Sequence, residues 1–423
     1  MAVATWVGGD GTGDEQTAFG RAANWSGGVV PDSDDHVIIA NTSHNCRNDA
    51  NRSIASLTIN TGATLLGESC TLTLVSEGTA TEGTEHYALK NDGIISGNLD
   101  IIFTFNGETA ADFTGSSGNV RNVTVNHADA DVNQVGAASF TQLFVNAGEY
   151  DAGNDGLTVS EQTVINGGSA GNEVARLQLN GSTVTLGAAS YTANAGLSIS
   201  NGAAVYATTA STVTMSSLDA NYDGSNEVRL LGTNTITSFD ATTNRIVKLT
   251  TGVIDTESGD TTNLTITTST TGKTISIFDV HFGNLTLTPA SATTYNMVSS
   301  GINIAGDLTI NANATLDTTT SNYPLTVAGN TVVSGILTGN NSTLIFGTSG
   351  VHGSTEAGAL HVESGGSLTF GSGDLTAFSG FTAKGTNTVT STGGGDILIK
   401  GRTNNGFMNS HSHQGTNITG DYI

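Results

Sequence analysis

The chain has 423 residues and a net charge of -24, from 13 Lys plus Arg against 37 Asp plus Glu. That balance excludes nucleic acid as the main partner, because phosphate binding needs clustered cations, and it suits a surface kept soluble by its own charge. With 55 Gly, 3 Pro and 6% aromatic residues, and no sustained helical pattern, the composition suits short strands joined by tight turns.

Residues 1–50 differ from the rest and read as an N-terminal cap or attachment segment. Both tryptophans lie here. Large aromatics ahead of a strand array suit the covering of an open first edge. Met1–Trp6 lacks the basic and apolar regions of a secretory leader. No apolar run reaches membrane-spanning length, so the expectation is no membrane insertion.

The segment carries Trp6, Gly8 and Gly9, then Ala23, Asn24, Trp25, Ser26, Gly28, Pro31, Asp35, Val37 and Ile39. This order resembles the opening of β-helical proteins of phage virions. A similar opening occurs in autotransporter-like and other repeat-rich bacterial surface proteins. The match covers about a tenth of the chain. The resemblance implies a right-handed parallel β-helix used as a surface or virion component, and a homotrimeric assembly.

Residues 51–395 read as the array. A phrase of Leu, then Thr or Ser, then an apolar residue recurs at Leu57, Leu157, Leu197, Leu264, Leu285, Leu308, Leu325 and Leu368. Its two apolar positions are two apart, so they share one face of a strand. Leu157, Leu177, Leu197 and Leu218 step by 20, 20 and 21, and Leu264, Leu285 and Leu308 by 21 and 23. Such a period predicts a β-solenoid in which each repeat is one turn, on the order of 15 turns in all. The order of strand, turn, strand, loop and strand after Leu57 recurs after Leu308. Stretches 85–155 and 220–262 are less regular, which predicts longer loops there. Gly393–Gly395 reads as a linker, and 396–423 as a strand around Ile397–Ile399 with a polar tail. Cys46 and Cys70 are about one turn apart, close enough to stack on adjacent turns, with free buried thiols the expected state.

Two metal motifs stand out. Asp219, Asn221, Asp223 and Gly224 match the first half of a calcium loop, in which alternating oxygens wrap a hard cation. The twelfth position is Leu230, so Glu227 is the candidate substitute, and a solvated turn is the competing reading. His411 and His413 flank Ser412; on a strand both would point to one side, and three copies would offer six nitrogens to a transition metal. This looks like the His-x-His sites of trimeric phage fibre tips. No cofactor is required by either reading.

Catalysis is the competing class, since β-helices host polysaccharide-cleaving enzymes. It needs two carboxylates about 5 to 9.5 Å apart. Asp307 with a carboxylate on an adjacent turn is one candidate. The Asp219, Asp223 and Glu227 cluster, with Arg229 as the nearest base, is another. His36, His44, His86, His127, His281, His352 and His361 are scattered and read as surface or stacking residues. The expectation is therefore an all-β, non-enzymatic structural protein of the virion surface, a tail fibre, spike or capsid decoration. Its partners would be other virion proteins or copies of itself, with a host-surface glycan as a candidate receptor. A polysaccharide-degrading tailspike and a bacterial cell-surface adhesin or self-assembling filament are the alternatives.

Overall fold

Every copy of the Leu-Thr phrase lies in a strand, and the leucine of each is buried. Alternation does this: Leu308 and Ile310 turn inward while Thr309 faces out, so the strand has one wet face. Fully burying one such leucine contributes about 1.5–3 kcal/mol. The computed structural model describes the chain apart from residues 1, 10–12, 41, 77, 79, 83–84, 116–119, 168–174, 180, 188–195, 201–202, 216–217, 222–226, 237–244, 250–262, 268–272, 278–282, 348–358, 379, 400–411, 414–416 and 420–423. The described residues form 38 strands and two short 3-10 helices, with almost all pairing parallel. The chain is all-β, and it falls into two compact units. One comprises Met1–Ala188 and Ala195–Val213; the other comprises Ala189–Asn194 and Thr214–Ile423.

In the first unit Ala2–Trp6 pairs in parallel with Asp35–Ile39, which pairs with Ser56–Ile59, which pairs with Glu85–Asn91. The aromatic residues of the N-terminal segment form one cluster. Trp25 stacks edge-on against Trp6 at 5.1 Å and Phe19 at 4.6 Å between ring centroids. Their polar atoms are satisfied as burial demands. The Trp25 Nε1 donates to the Phe19 carbonyl at 2.7 Å, and the Trp6 Nε1 to the His44 carbonyl at 3.0 Å. Asn24 is fully buried and its Nδ2 donates to the carbonyls of Glu15 and Ala18. Gly8 adopts a φ of +59° and lies against Trp6 and His44, where a Cβ would crowd both.

Cys46 and Cys70 are both buried and free. Register explains why they do not meet. Cys46 lies opposite Leu65, and Cys70 opposite Leu99. The Cys70 thiol donates to the Asn48 carbonyl at 3.0 Å, and burial pushes both thiols up.

Among the described residues of 85–155 strands largely take the place of the expected loops. That stretch holds long strands, Val120–Val135 and Ala138–Asp151 among them, which bend across two faces. Their irregularity is a register shift: Asn126 lies opposite Ala147, and the next pair is Asp131 with Glu149. Four residues thus oppose Gly148 alone, a bulge. Gly148 has a φ of +82°, and a Cβ there would come within 2.4 Å of the Ala130 and His127 carbonyls. Of the other irregular stretch, 222–226, 237–244 and 250–262 lie outside the described residues, while Glu227–Ile236 and Arg245–Leu249 are strands.

The leucine series also resolves differently in the two units. Leu264, Leu285 and Leu308 stack directly, each opposite the next. Leu157, Leu177 and Leu197 do not. They lie opposite Val184, Tyr150 with Val205, and Thr163, in separate columns. Their spacing of 20 marks successive strands of longer repeats, not one position per repeat.

In the second unit three parallel ladders recur in order. Leu308–Ile310 pairs with Thr331–Val333, Ala314–Asp317 with Ile336–Thr338, and Leu325–Val327 with Leu344–Phe346. The middle ladder has an inward column of Tyr295, Leu316, Leu337, Leu368 and Val389, all buried. Two outward columns flank it. One runs Thr294, Thr315, Ile336, Ser367, Thr388; the other runs Asn296, Asp317, Thr338, Thr369, Thr390. Gly393–Gly395 is not a free linker. The Gly395 amide donates to the Gly371 carbonyl at 2.9 Å, and a Cβ on Gly393 would lie 2.6 Å from the Ser372 nitrogen. Ile397–Ile399 then continues the third ladder beside Leu375–Ala377.

Candidate functional site

The first unit gathers charge on one column. Glu108, Asp131, Glu149 and Arg176 lie opposite one another on four successive strands. Neighbouring parallel strands are about 4.8 Å apart, so three carboxylates are stacked at that interval. Like charges directly opposite repel. The column is relieved at its ends. Asn133 Nδ2 donates to Glu108 Oε1 at 3.0 Å. Gln178 Nε2 donates to Glu149 Oε1, and Arg176 sits 3.8 Å from the other oxygen of Glu149. Asp131 in the middle gets no such help. Its Oδ1 is buried and has no hydrogen-bond partner among the described residues. Burial first, then the charges of Glu149, Glu108 and Asp151, push its carboxyl up to about 6.

The bulge turns this column into a concave place. Ala128, Asp129, Ala130, Asp131, Gly148, Glu149 and Arg176 line an open groove of about 270 Å³. None is aromatic. His127 and Asp129 ride on the bulge, where the Asp129 amide donates to His127 Nδ1 at 3.2 Å. Below it the Tyr150 hydroxyl donates to Gln134 Oε1 at 2.9 Å, and Gln134 Nε2 donates to the Gly136 and Gly156 carbonyls. That buried network holds the strand ends in place. The arrangement places a carboxyl of raised proton affinity beside a second carboxyl on the next strand.

The second unit stacks three asparagines and one aspartate, Asp307, where the first stacks carboxylates. Asn263 Oδ1 accepts from the Asn284 amide at 2.8 Å, Asn284 Oδ1 from the Asp307 amide at 2.6 Å, and Asp307 Oδ1 from the Asn330 amide at 2.7 Å. Asn330 Oδ1 accepts from the Ala359 amide at 3.2 Å, and Ala359, with no side-chain oxygen, ends the series. The carboxylate pair sought at Asp307 is therefore not formed. Its stacked neighbours are asparagines, and its Oδ1 does structural work.

The sequence motifs fall as follows. Asp223 and His411 lie outside the described residues. Asp219 and Asn221 are in the strand Leu218–Asn221 rather than in a loop, with Asp219 opposite Lys248. Glu227 opens the strand Glu227–Ile236. Ser412 lies opposite Thr382 and His413 opposite Ala383. Among the described residues no group of three or more His, Cys, Asp and Glu is placed to hold a metal ion. His36 is buried, with Nδ1 2.6 Å from Ser56 Oγ and Nε2 3.3 Å from Thr58 Oγ1. His361 lies in a column between Val332 and Thr382. His281 and His352 lie outside the described residues.

Sequence reasoning missed Glu108, Asp131 and Glu149. Their separations of 23 and 18 fit no constant period, because the bulge lengthens one repeat. The amide series had a signal: Asn or Asp directly before the Leu phrase at 263, 284 and 307. No family model matches the chain, and no curated protein and no solved structure matches it.

Proposed function

We propose that the chain is a non-enzymatic structural protein of a virus particle surface, a right-handed parallel β-helix whose residues 1–50 form an N-terminal cap. A tail fibre, spike or capsid decoration is the role, with other virion proteins or further copies of the chain as partners. One observation supports it most: in each unit the parallel register keeps apolar residues stacked inside without a disulfide. Backbone pairing continued through such ladders gives stiffness, which is what a displayed rod needs. The sealed aromatic cluster gives the resemblance of the opening segment a physical basis. Calcium at Asp219, Asn221, Asp223 and Glu227, and a transition metal shared between copies at His411 and His413, belong to this proposal. The test is light scattering with negative-stain imaging of the purified chain. A discrete rod-shaped trimer is expected. Open-ended filaments would instead assign it to a self-assembling surface polymer.

A second reading has its own support in Asp131. A carboxyl held up to about 6 beside Glu149 on the next strand resembles the acid and nucleophile of a retaining glycosidase, whose carboxyls lie about 5–5.5 Å apart. It makes the chain a polysaccharide-cleaving spike. Release of reducing ends from capsular or lipopolysaccharide glycan, abolished by Asp131→Asn, would establish it. Equal release by the variant would dismiss it.

A further inference from the structure

The middle ladder of the second unit presents two outward columns where the ladders beside it present one. Thr315, Thr338, Ser367, Thr369, Thr388 and Thr390 occupy its two outward columns, and Asp317 is the one ionisable residue there among the described residues. None of these six hydroxyls is hydrogen-bonded among the described residues, so all remain available. Asp317 is tied down at the margin, its Oδ1 accepting from Asn340 Nδ2 at 2.7 Å and the Thr319 amide at 2.7 Å. Register runs without a shift from Thr293 to Ser391 across these strands, over a buried apolar column. The hydroxyls therefore sit on a fixed two-dimensional grid. Its intervals are about 4.8 Å between strands and about 7 Å between the columns of one strand.

We infer that this face is an ice-binding surface. Two repeat distances of hexagonal ice are close to that grid. Threonine supplies what the ligand requires: a hydroxyl that both donates and accepts, and a methyl that fills space between ordered waters. Charge fits as well. Ice carries no net charge, and an ionised group pressed against it would lose hydration without a partner. The one carboxylate present is held by an amide and a backbone N–H. Size argues against the simplest competing occupant. Six strands by two columns, counting Asn417–Thr419 beside Thr388–Thr390, make a face on the order of 400 Å². A stable protein interface takes about 800 Å² per partner, so a second copy docked here alone would not hold. A glycan is less suited, because the two outward columns themselves carry no aromatic side chain for a sugar ring to stack on.

The inference goes beyond the structural role and stands on a different part of the molecule. The test is growth of a polycrystalline ice hemisphere from dilute full-length chain, with freezing hysteresis read in a nanolitre osmometer. Enrichment in the ice and a gap between melting and freezing points are expected. Thr369→Glu, at the centre of the face, should abolish both while leaving thermal unfolding in place. Thr309→Glu, on the neighbouring ladder with a single outward column, should leave both intact. Thr388→Glu at an exposed outer position serves the same purpose if the central charge unfolds the chain. Exclusion of the unmodified chain from ice without hysteresis would overturn the inference, as would equal loss in Thr309→Glu. Self-association that Thr369→Glu removes, with no ice enrichment, would assign the face to a second copy and overturn it equally.

Discussion

The strands around Glu108–Arg176 and those around Asn263–Asn330 solve one problem in two ways. Both stack identical backbone at about 4.8 Å, so whatever projects outward meets its own kind on the next strand. In the second unit the stacked groups are asparagines and Asp307, and each Oδ1 accepts a backbone N–H from the next strand. Stacking there satisfies donors. In the first unit the stacked groups are carboxylates, which can only accept, so Asp131 is left with a buried oxygen and a raised proton affinity. A repeat thus favours side chains whose acceptor meets a backbone N–H of the next strand, and a column of carboxylates without such donors marks a departure.

The inward columns should not share this difference, which gives the largest effect to measure. Leu143→Ala in the first unit and Leu337→Ala in the second each empty a fully buried position. Each should cost about 2–5 kcal/mol. Hydrogen exchange read strand by strand is the suitable measurement, because a stacked array need not unfold in one step. Similar losses in the two units would keep the contrast on the outside. A loss confined to one would break the comparison.

Next come the glycines beside the amide series. A Cβ on Gly306 would lie 2.2 Å from Asn284 Oδ1, and one on Gly329 2.3 Å from Asp307 Oδ1. Gly306→Ala must push the acceptor off its backbone N–H, at a cost of about 1–3 kcal/mol. Asn284→Ala removes the acceptor outright and should lose about 0.5–1.5 kcal/mol. Asp307→Asn keeps the oxygen and should be near neutral. If Asp307→Asn were as damaging as Asn284→Ala, the charge rather than the acceptor would matter there, and the contrast between units would narrow.

These contrasts also mark what the sequence could and could not disclose. The alternation in Leu308-Thr309-Ile310 names strand, inward face and outward face at once, and repeats of 21 and 23 residues let stacked partners be read off directly. In the first unit repeats lengthen: Leu157 meets Val184, 27 residues on, and Thr163 meets Leu197, 34 on. The spacing of 20 between Leu157 and Leu177 therefore misled, since a strand-to-strand interval resembles a repeat-to-repeat one. Glu108, Asp131 and Glu149 were hidden for the same reason. The bulge opposite Gly148 depends on a positive φ that glycine permits but does not announce.

The smallest effect is the most discriminating, because two groups of the first unit should respond to acid in opposite senses. Asp131 titrates near 6 in the fold and near 3.9 in an unfolded chain. Its protonated form is favoured by folding, so its contribution is fully present below about 4 and is lost as pH rises through about 6. His36 is the reverse. Burial lowers its proton affinity below the ordinary 6.5, so its contribution is present above that value and is lost as pH falls through the lowered one. Between pH 7 and pH 5, exchange corrected for intrinsic rate should slow at Asp131 and Glu149 and quicken at His36 and Ser56. Asp131→Asn should flatten the first change and leave the second. Loss of protection at both places on acidification would mean that Asp131 finds relief from its stacked neighbours, and the carboxylate column would be no more strained than the amide one.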